Sequence, residues 1–301
     1  MSTDFAAAGD LGRFAVSNTR RRKDKLTRGA VTAATVVAIV PLAAIVYFLL
    51  SKGLGAWSWS FFSTDPTGAT FLNIPGESIG GIKSALLGSI EIVALAAVIA
   101  IPIGVAIAIW LVEYGQDHAF AKVIRFFVDI LTGVPSIVFG TFVFIALSLS
   151  SFAHGLGAWK GSIALSLLML PVVIRSAEVV LRLVPNSLHE AALALGAPRW
   201  RVIFKIVVPT ALPGIITGVL LAVARAAGET APLLFVVEPS NATSFNLSGP
   251  MNYLPYEIFT DVRSNNPAVI ARAWGAALTL VTLILLLNLF ARLIARRSRF
   301  A

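Results

Sequence analysis

Residues 92–112 read IVALAAVIAIPIGVAIAIWLV, 21 positions without a charged side chain, bounded by Glu91 and Glu113. An α-helix rises 1.5 Å per residue, so this run extends about 31 Å, the thickness of a bilayer's hydrocarbon core. It predicts a membrane-spanning helix, and the same ruler laid along the chain finds more. Uncharged runs recur at 29–51, 130–153 and 273–291. Two others are shorter or closely flanked: 161–174 precedes Arg175, Glu178 and Arg182, and 206–224 precedes Arg225 and Glu229. Both can still span if those charges face protein or water. The expectation is an all-α integral membrane protein of six transmembrane helices. Composition agrees: 57% of residues are hydrophobic and 13% charged, against roughly a quarter charged in a soluble domain, which excludes a water-soluble fold.

The first run is too long for a signal-peptide core and follows a polar tail, so it is read as a retained anchor on a chain that begins near Met1. Orientation follows from Lys and Arg. Eighteen of the 24 fall on the two tails and on the links at 113–129 and 175–205, whereas the opposite set holds only Lys52, Lys83, Lys160, Arg263 and Arg272. Both termini are therefore expected to be cytoplasmic, which requires an even number of spans. The layout is a basic cytoplasmic tail at 1–28, a first helix at 29–51, an extracytoplasmic loop at 52–79, a five-helix core at 80–292 with a cytoplasmic link at 186–205, and a second basic tail at 293–301. The net charge of +9 is thus an orientation signal, and no nucleic-acid partner is needed; the basic tail lies near anionic membrane lipid.

The chain has no Cys, and His118, His154 and His189 lack ligand spacing, so neither thiolate chemistry nor a metal site is expected. Pro41, Pro102, Pro135, Pro171, Pro209, Pro213 and Pro232 interrupt or end the apolar runs, a pattern tolerated where neighbouring helices re-satisfy the backbone. Trp57, Trp59, Phe61 and Phe62 read as an interfacial aromatic belt. Loop 238–270 reads as turns with a short surface helix.

Two ion pairs fall in apolar surroundings. Arg225 and Glu229 are four apart, and Arg175 and Glu178 three apart, so each pair can close on one helix face. Either the pairs neutralise each other in a helix interface, or the guanidiniums line a route for an anion, since a planar, permanently charged fork donates bidentate hydrogen bonds to an oxyanion. On the second reading Glu229 holds Arg225 until an anion arrives.

The link between the fourth and fifth spans reads VPNSLHEAALALGAPRWRVIFKIVVPTALPG. Ser187 and Glu190 form an S-x-x-E capping box, Gly196 is placed for a left-handed stop, and Pro198 is placed as the first residue of the next turn. A short helix with Ala191, Ala192 and Ala194 suits close approach by a partner; a loop resting on lipid headgroups is the alternative.

Within this link, Glu190, Ala191, Ala192, Gly196, Ile206 and Pro209 resemble the EAA motif of ABC-type importer permeases, with Val208 where Leu is commoner. GGIKSALLGSIEIVALAAVIAIPIGVAIAIWLVEYG, GVPSIVFG, RAAGETAPLLF and NYLPYEIF narrow the resemblance to the phosphate-specific (Pst) importers, and to their A-type permease more than the C-type, over about residues 80–292. The resemblance implies a permease without enzymatic activity in a bacterial plasma (inner) membrane, working by alternating access. It implies a paralogous (PstC-like) permease, two ATPase (PstB-like) subunits that hold ATP and Mg, a phosphate-binding (PstS-like) protein, and inorganic phosphate as substrate. Glu190, Ala191, Ala192 and Gly196 would dock the ATPase, and Arg175 and Arg225, with Glu178 and Glu229, would line the phosphate path. The chain itself carries no cofactor: the nearest string to a phosphate-binding loop, GESIGGIKS at 76–84, has Ile82 where Lys is required. Of three rivals, one, an intramembrane enzyme, would need a convergent nucleophile and base, whereas Thr141 and Ser166 read as interhelical hydrogen-bond partners with no His within a span to activate them. The other two stay open. A secondary transporter or channel would work without the 186–200 loop, and a permease of the same class could carry another oxyanion or nutrient.

Overall fold

The computed structural model describes residues 18–67, 79–116, 118–148 and 155–297. The start of the basic tail (1–17), the loop segment 68–78 with the first three residues of the GESIGGIKS string, the end of the third apolar run (149–154) and residues 298–301 lie outside them. Residues up to Ser51 form one unit and those from Lys52 a second. The first holds nearly all of α1 (Asn18–Gly53), a helix of 36 residues with Pro41 inside it. It starts well upstream of the uncharged run, so Arg20 to Lys25 continue the spanning helix as basic turns.

The second unit contains α2 (Trp59–Ser63), α3 (Lys83–Glu113), α4 (Ala119–Gly133), α5 (Ser136–Ser148), α6 (Ala158–Leu181), α7 (Asn186–Ala194), α8 (Arg199–Ala227), α9 (Leu254–Asp261) and α10 (Pro267–Arg297). Among the described residues the only β pairing is an isolated bridge between Pro66 and Gly80. With α1, the helices α3, α6, α8 and α10 are long and apolar enough to cross a membrane.

The third apolar run is not one straight span. It is divided between α4 and α5, which meet at 108°. Pro135 is the cause: it expels the preceding residue from helical geometry, and Val134 is extended at φ −71°, ψ 132°. A count of uncharged residues measures length and is blind to direction. The neighbours still require a crossing here. Ser162 Oγ donates to the Ile92 carbonyl at 3.0 Å, and a Cβ on Gly104 would stand 2.7 Å from Val173, so α3 and α6 advance together and run parallel. Parallel helices need the chain to recross between them, and α4 with α5 supply that passage. The crossings are then α1, α3, α4–α5, α6, α8 and α10.

Helices α6 and α8 run antiparallel in close contact. A Cβ on Gly214 would lie 2.4 Å from Val180, and one on Gly218 2.4 Å from Ser176, so side chains at either glycine would force the two helices apart. Near its start α8 passes through a π turn at Ile203–Val207. The ring of Pro209 would clash with the carbonyl four residues back, that of Lys205, and a widened turn at this point relieves the clash. Ile92, Leu165, Met169, Val173, Ala222 and Leu233 form the core where α3, α6 and α8 meet the chain that follows α8.

Two loop expectations need correction. Of the four aromatic residues in the loop after α1 only Trp59 is largely exposed, at 86%. Trp57 Nε1 donates to the Gly275 carbonyl of α10, and Phe61 is buried with Ile82, Leu254 and Ala276. They plug the end of the second unit where α9 and the start of α10 lie, because apolar rings find a drier neighbour in α10 than in an interface. The short helix α9 is likewise buried through Leu254, Pro255, Glu257 and Asp261, so it is no surface helix.

Candidate anion route and coupling face

Glu178 is the hub of a cluster on α6. Its side chain is 3% exposed, yet three guanidiniums reach it: Arg125 of α4 and Arg182 of α6 donate to Oε1, each at 2.7 Å, and Arg175 donates to Oε2 at 3.2 Å. Arg125 also donates to the Leu111 carbonyl at the end of α3, so one carboxylate ties three helices. Leaving that buried carboxylate without its arginines would cost about 3–5 kcal/mol. Arg175 has a second partner, Asp129 of α4, at 2.7 Å, and there both side chains are about half exposed, 46% and 55%. Exposed pairs of that kind contribute about 0–1 kcal/mol. The cluster therefore has a fixed part at Glu178 and an exchangeable part at Asp129. With three guanidiniums against two carboxylates it keeps one positive charge.

The expected pairing of Arg175 with Glu178 is present, but it is one bond of several. Arg125 and Asp129 were not singled out in the sequence. Their signal was available: they are four apart in AFAKVIRFFVDILTG, one polar stripe on an otherwise apolar helix.

Arg225 occupies the last turn of α8, where the carbonyl end of the helix dipole favours a cation. Glu229 lies beyond the helix, which ends at Ala227 with Gly228 as its cap, so the two do not share a helix face as expected. Glycine cannot be held in a helix at little cost, and the chain turns here. The pair stands at 3.6 Å, with Arg225 45% and Glu229 20% exposed, an open arrangement. Continuing the Gly214–Val180 and Gly218–Ser176 register, Arg225 is level with residue 169 and Arg175 with residue 219. The two arginines are thus about 9 Å apart along the helices, at two depths.

The link helix α7 forms, but without the capping box. Pro185 is its cap and makes no side-chain bond, and Ser187 lies inside the first turn, because Pro185 already sets the extended entry. Pro198 likewise precedes the next helix instead of opening it. Gly196 adopts φ +78°, the left-handed stop its position predicts. Ala192 packs inward with Ala108, Val112 and Leu181, whereas Glu190, Ala191 and Gly196 face outward beside Leu188, Leu195 and Trp200. A further tie was missed in the sequence: His189 Nε2 and Glu113 Oε1 are 3.2 Å apart, joining α7 to the end of α3 beside a cavity of about 280 Å³ lined by Arg182, Glu190 and Arg199.

A second ion network lies at the other end of the unit. Arg272 grips Asp261 with two bonds, at 2.7 and 2.8 Å, and reaches Glu257 at 2.9 Å. Asn252 donates to Glu257 at 2.7 Å. All four are buried. Burial pushes the Glu257 carboxyl above its usual range, with Arg272 opposing, and holds the Tyr253 phenol well above its ordinary value. From the sequence alone Arg272 is only one of the few basic residues on the side opposite the termini.

The chain is similar to known transport proteins over most of its length. Residues 100–300 match the family described as binding-protein-dependent transport system inner membrane component. It is 42% identical to the phosphate transport system permease protein PstA of Mycobacterium leprae, over 91% of this chain and 89% of that protein, and 39% identical to PstA of Pasteurella multocida over 91% and 95%. Among solved structures it resembles a bacterial alginate ABC transporter in complex with an alginate-bound periplasmic protein, at TM-score 0.64 and 15% identity over 92% of this chain and 96% of that one. It also resembles the MetNI methionine ABC transporter in an inward-facing conformation, at TM-score 0.59 and 17% identity over 71% and 94%.

Proposed function

Because the chain belongs to the family of binding-protein-dependent transport system inner membrane components, we propose that its half-exposed arginines form the path of the anion that such a system carries. The chain is a multi-pass permease subunit of an ABC-type phosphate importer, and the observation that carries this reading is its 42% identity to a phosphate transport permease over 91% of its length. In the proposed path, phosphate meets Arg225 near the middle of the bundle and then Arg175 about 9 Å nearer the coupling side. Glu229 neutralises Arg225 between passages, and Glu178 holds Arg175 in place. Because each guanidinium is only partly engaged, it has donors free for a phosphate oxygen.

The outward face of α7, with Glu190, Ala191 and Gly196, is the seat for an ATPase subunit that binds ATP and Mg. Movement there reaches α8 directly and α3 through His189 and Glu113, which opens the bundle alternately to either side. A paralogous permease completes the path, and a phosphate-binding protein delivers the anion to the outer face. The Lys and Arg distribution supports both termini lying on the cytoplasmic side of the inner membrane.

Phosphate uptake into proteoliposomes containing this chain, its paralogue, the ATPase and the binding protein tests the reading. Uptake is expected to require ATP. Arg225→Gln is expected to abolish it in an assembled complex, and Glu190→Lys to detach the ATPase. Uptake without an ATPase would refute the importer class; unchanged uptake by Arg225→Gln would make that pair structural.

A further inference from the structure

Arg175 is held in two unequal ways. Its bond to Glu178 belongs to a buried carboxylate that two other arginines also grip, whereas its shorter bond, through Nη2 to Asp129 Oδ1 at 2.7 Å, joins two half-exposed groups on different helices. The Asp129 oxygen on that guanidinium N–H edge stands where an oxygen of an arriving phosphate would bind, with one negative charge where phosphate at neutral pH carries between one and two. Such an edge accepts either anion, and the more charged one competes well. Asp129 also lies on α4, five residues before the extended Val134 where α4 and α5 break, so releasing it frees a tie between that bent pair and α6.

We propose that Asp129 is the resident anion of the Arg175 station: it occupies the guanidinium edge while the path is empty, and phosphate displaces it in passing. The inference rests on the reading of Arg175 as part of the phosphate path. Asp129 thereby sets how tightly the station holds its substrate. Without it phosphate would bind more firmly and leave more slowly, and with it the edge is never bare and release is assisted by the returning carboxylate.

Binding of radiolabelled inorganic phosphate to the assembled permease–ATPase complex, without the binding protein, tests this. Asp129→Asn is expected to tighten phosphate binding by about 2- to 5-fold, the scale of one exposed ion pair, and to slow uptake. Asp129→Glu should behave as wild type, and adding Arg175→Gln should erase the gain. In the wild-type complex, saturating phosphate should raise carbodiimide labelling of Asp129, read by mass spectrometry, while buried Glu178 stays unlabelled. That measurement decides the matter if Asp129→Asn does not assemble. Unchanged or weaker binding by an assembled Asp129→Asn, or labelling indifferent to phosphate, would overturn the proposal. If Arg175→Gln itself neither weakens binding nor slows uptake, it is the Arg175 path that fails.

Discussion

The two ion networks of the second unit are inversions of each other. Around Glu178 one carboxylate is surrounded by three arginines; around Arg272 one arginine is gripped by two carboxylates. The first leaves Arg175 and Arg182 about half exposed, at 46% and 55%, while the second leaves Glu257, Asp261 and Arg272 at 4% or less. Surplus charge left uncovered at the surface of the chain is open to a ligand, whereas charge that is matched and buried serves to hold the fold. Burial of the minority partner is common to both, so exposure of the majority partners is what distinguishes the proposed site from the brace.

The comparison breaks most easily at Arg272. Arg272→Met leaves two buried carboxylates without a cation and is expected to destabilise the complex by about 3–5 kcal/mol, read as a lowered melting temperature in detergent. A stable Arg272→Met complex that has lost transport would make the Arg272 network a site after all. Glu178→Gln is expected to cost less, about 1–3 kcal/mol, because two of its arginines can turn toward water, and the same melting assay ranks the two. A finer test uses pH. Burial raises Glu257 in the folded state above its unfolded value of about 4.3, so the folded state holds that proton more tightly. The resulting stability is complete below the unfolded value and is lost as pH rises through the folded one. Melting curves across that window should slope downward with pH, and Glu257→Gln should flatten them. The smallest effect is expected at Tyr253, whose hydroxyl is buried without a hydrogen-bond partner. Tyr253→Phe should change stability by about 0–1 kcal/mol and toward greater stability, which a loss of melting temperature would contradict.

Much of the architecture was legible because membrane burial is written in composition. An uncharged run of about 20 residues has few alternatives in a chain this apolar, and Gly196 sits where a left-handed residue is needed. What escaped was relational. The bend at Pro135 leaves the run's hydrophobicity unchanged, so only the proline hinted at it. The Arg125 to Glu178 bond joins residues 53 apart, and the Arg272 network draws in the Ile79 carbonyl, 193 residues away; no spacing rule reaches that far. Ser187 missed its capping role by two positions, because Pro185 had already fixed where the helix begins. The Arg225 pair was visible as a spacing, but the end of α8 between its members was not.

The π turn at Ile203–Val207 has a consequence for how this chain tolerates insertions and deletions. A π turn accommodates one residue more than the α geometry on either side, so a single deletion within it could be absorbed by tightening to an ordinary turn, with both flanks keeping their facing. A deletion anywhere between Val208 and Arg225 has no such slack: it would rotate the downstream guanidinium by about 100° and draw it back by about 1.5 Å. Within α8, between its start and Arg225, the five residues of that turn are where its length is negotiable.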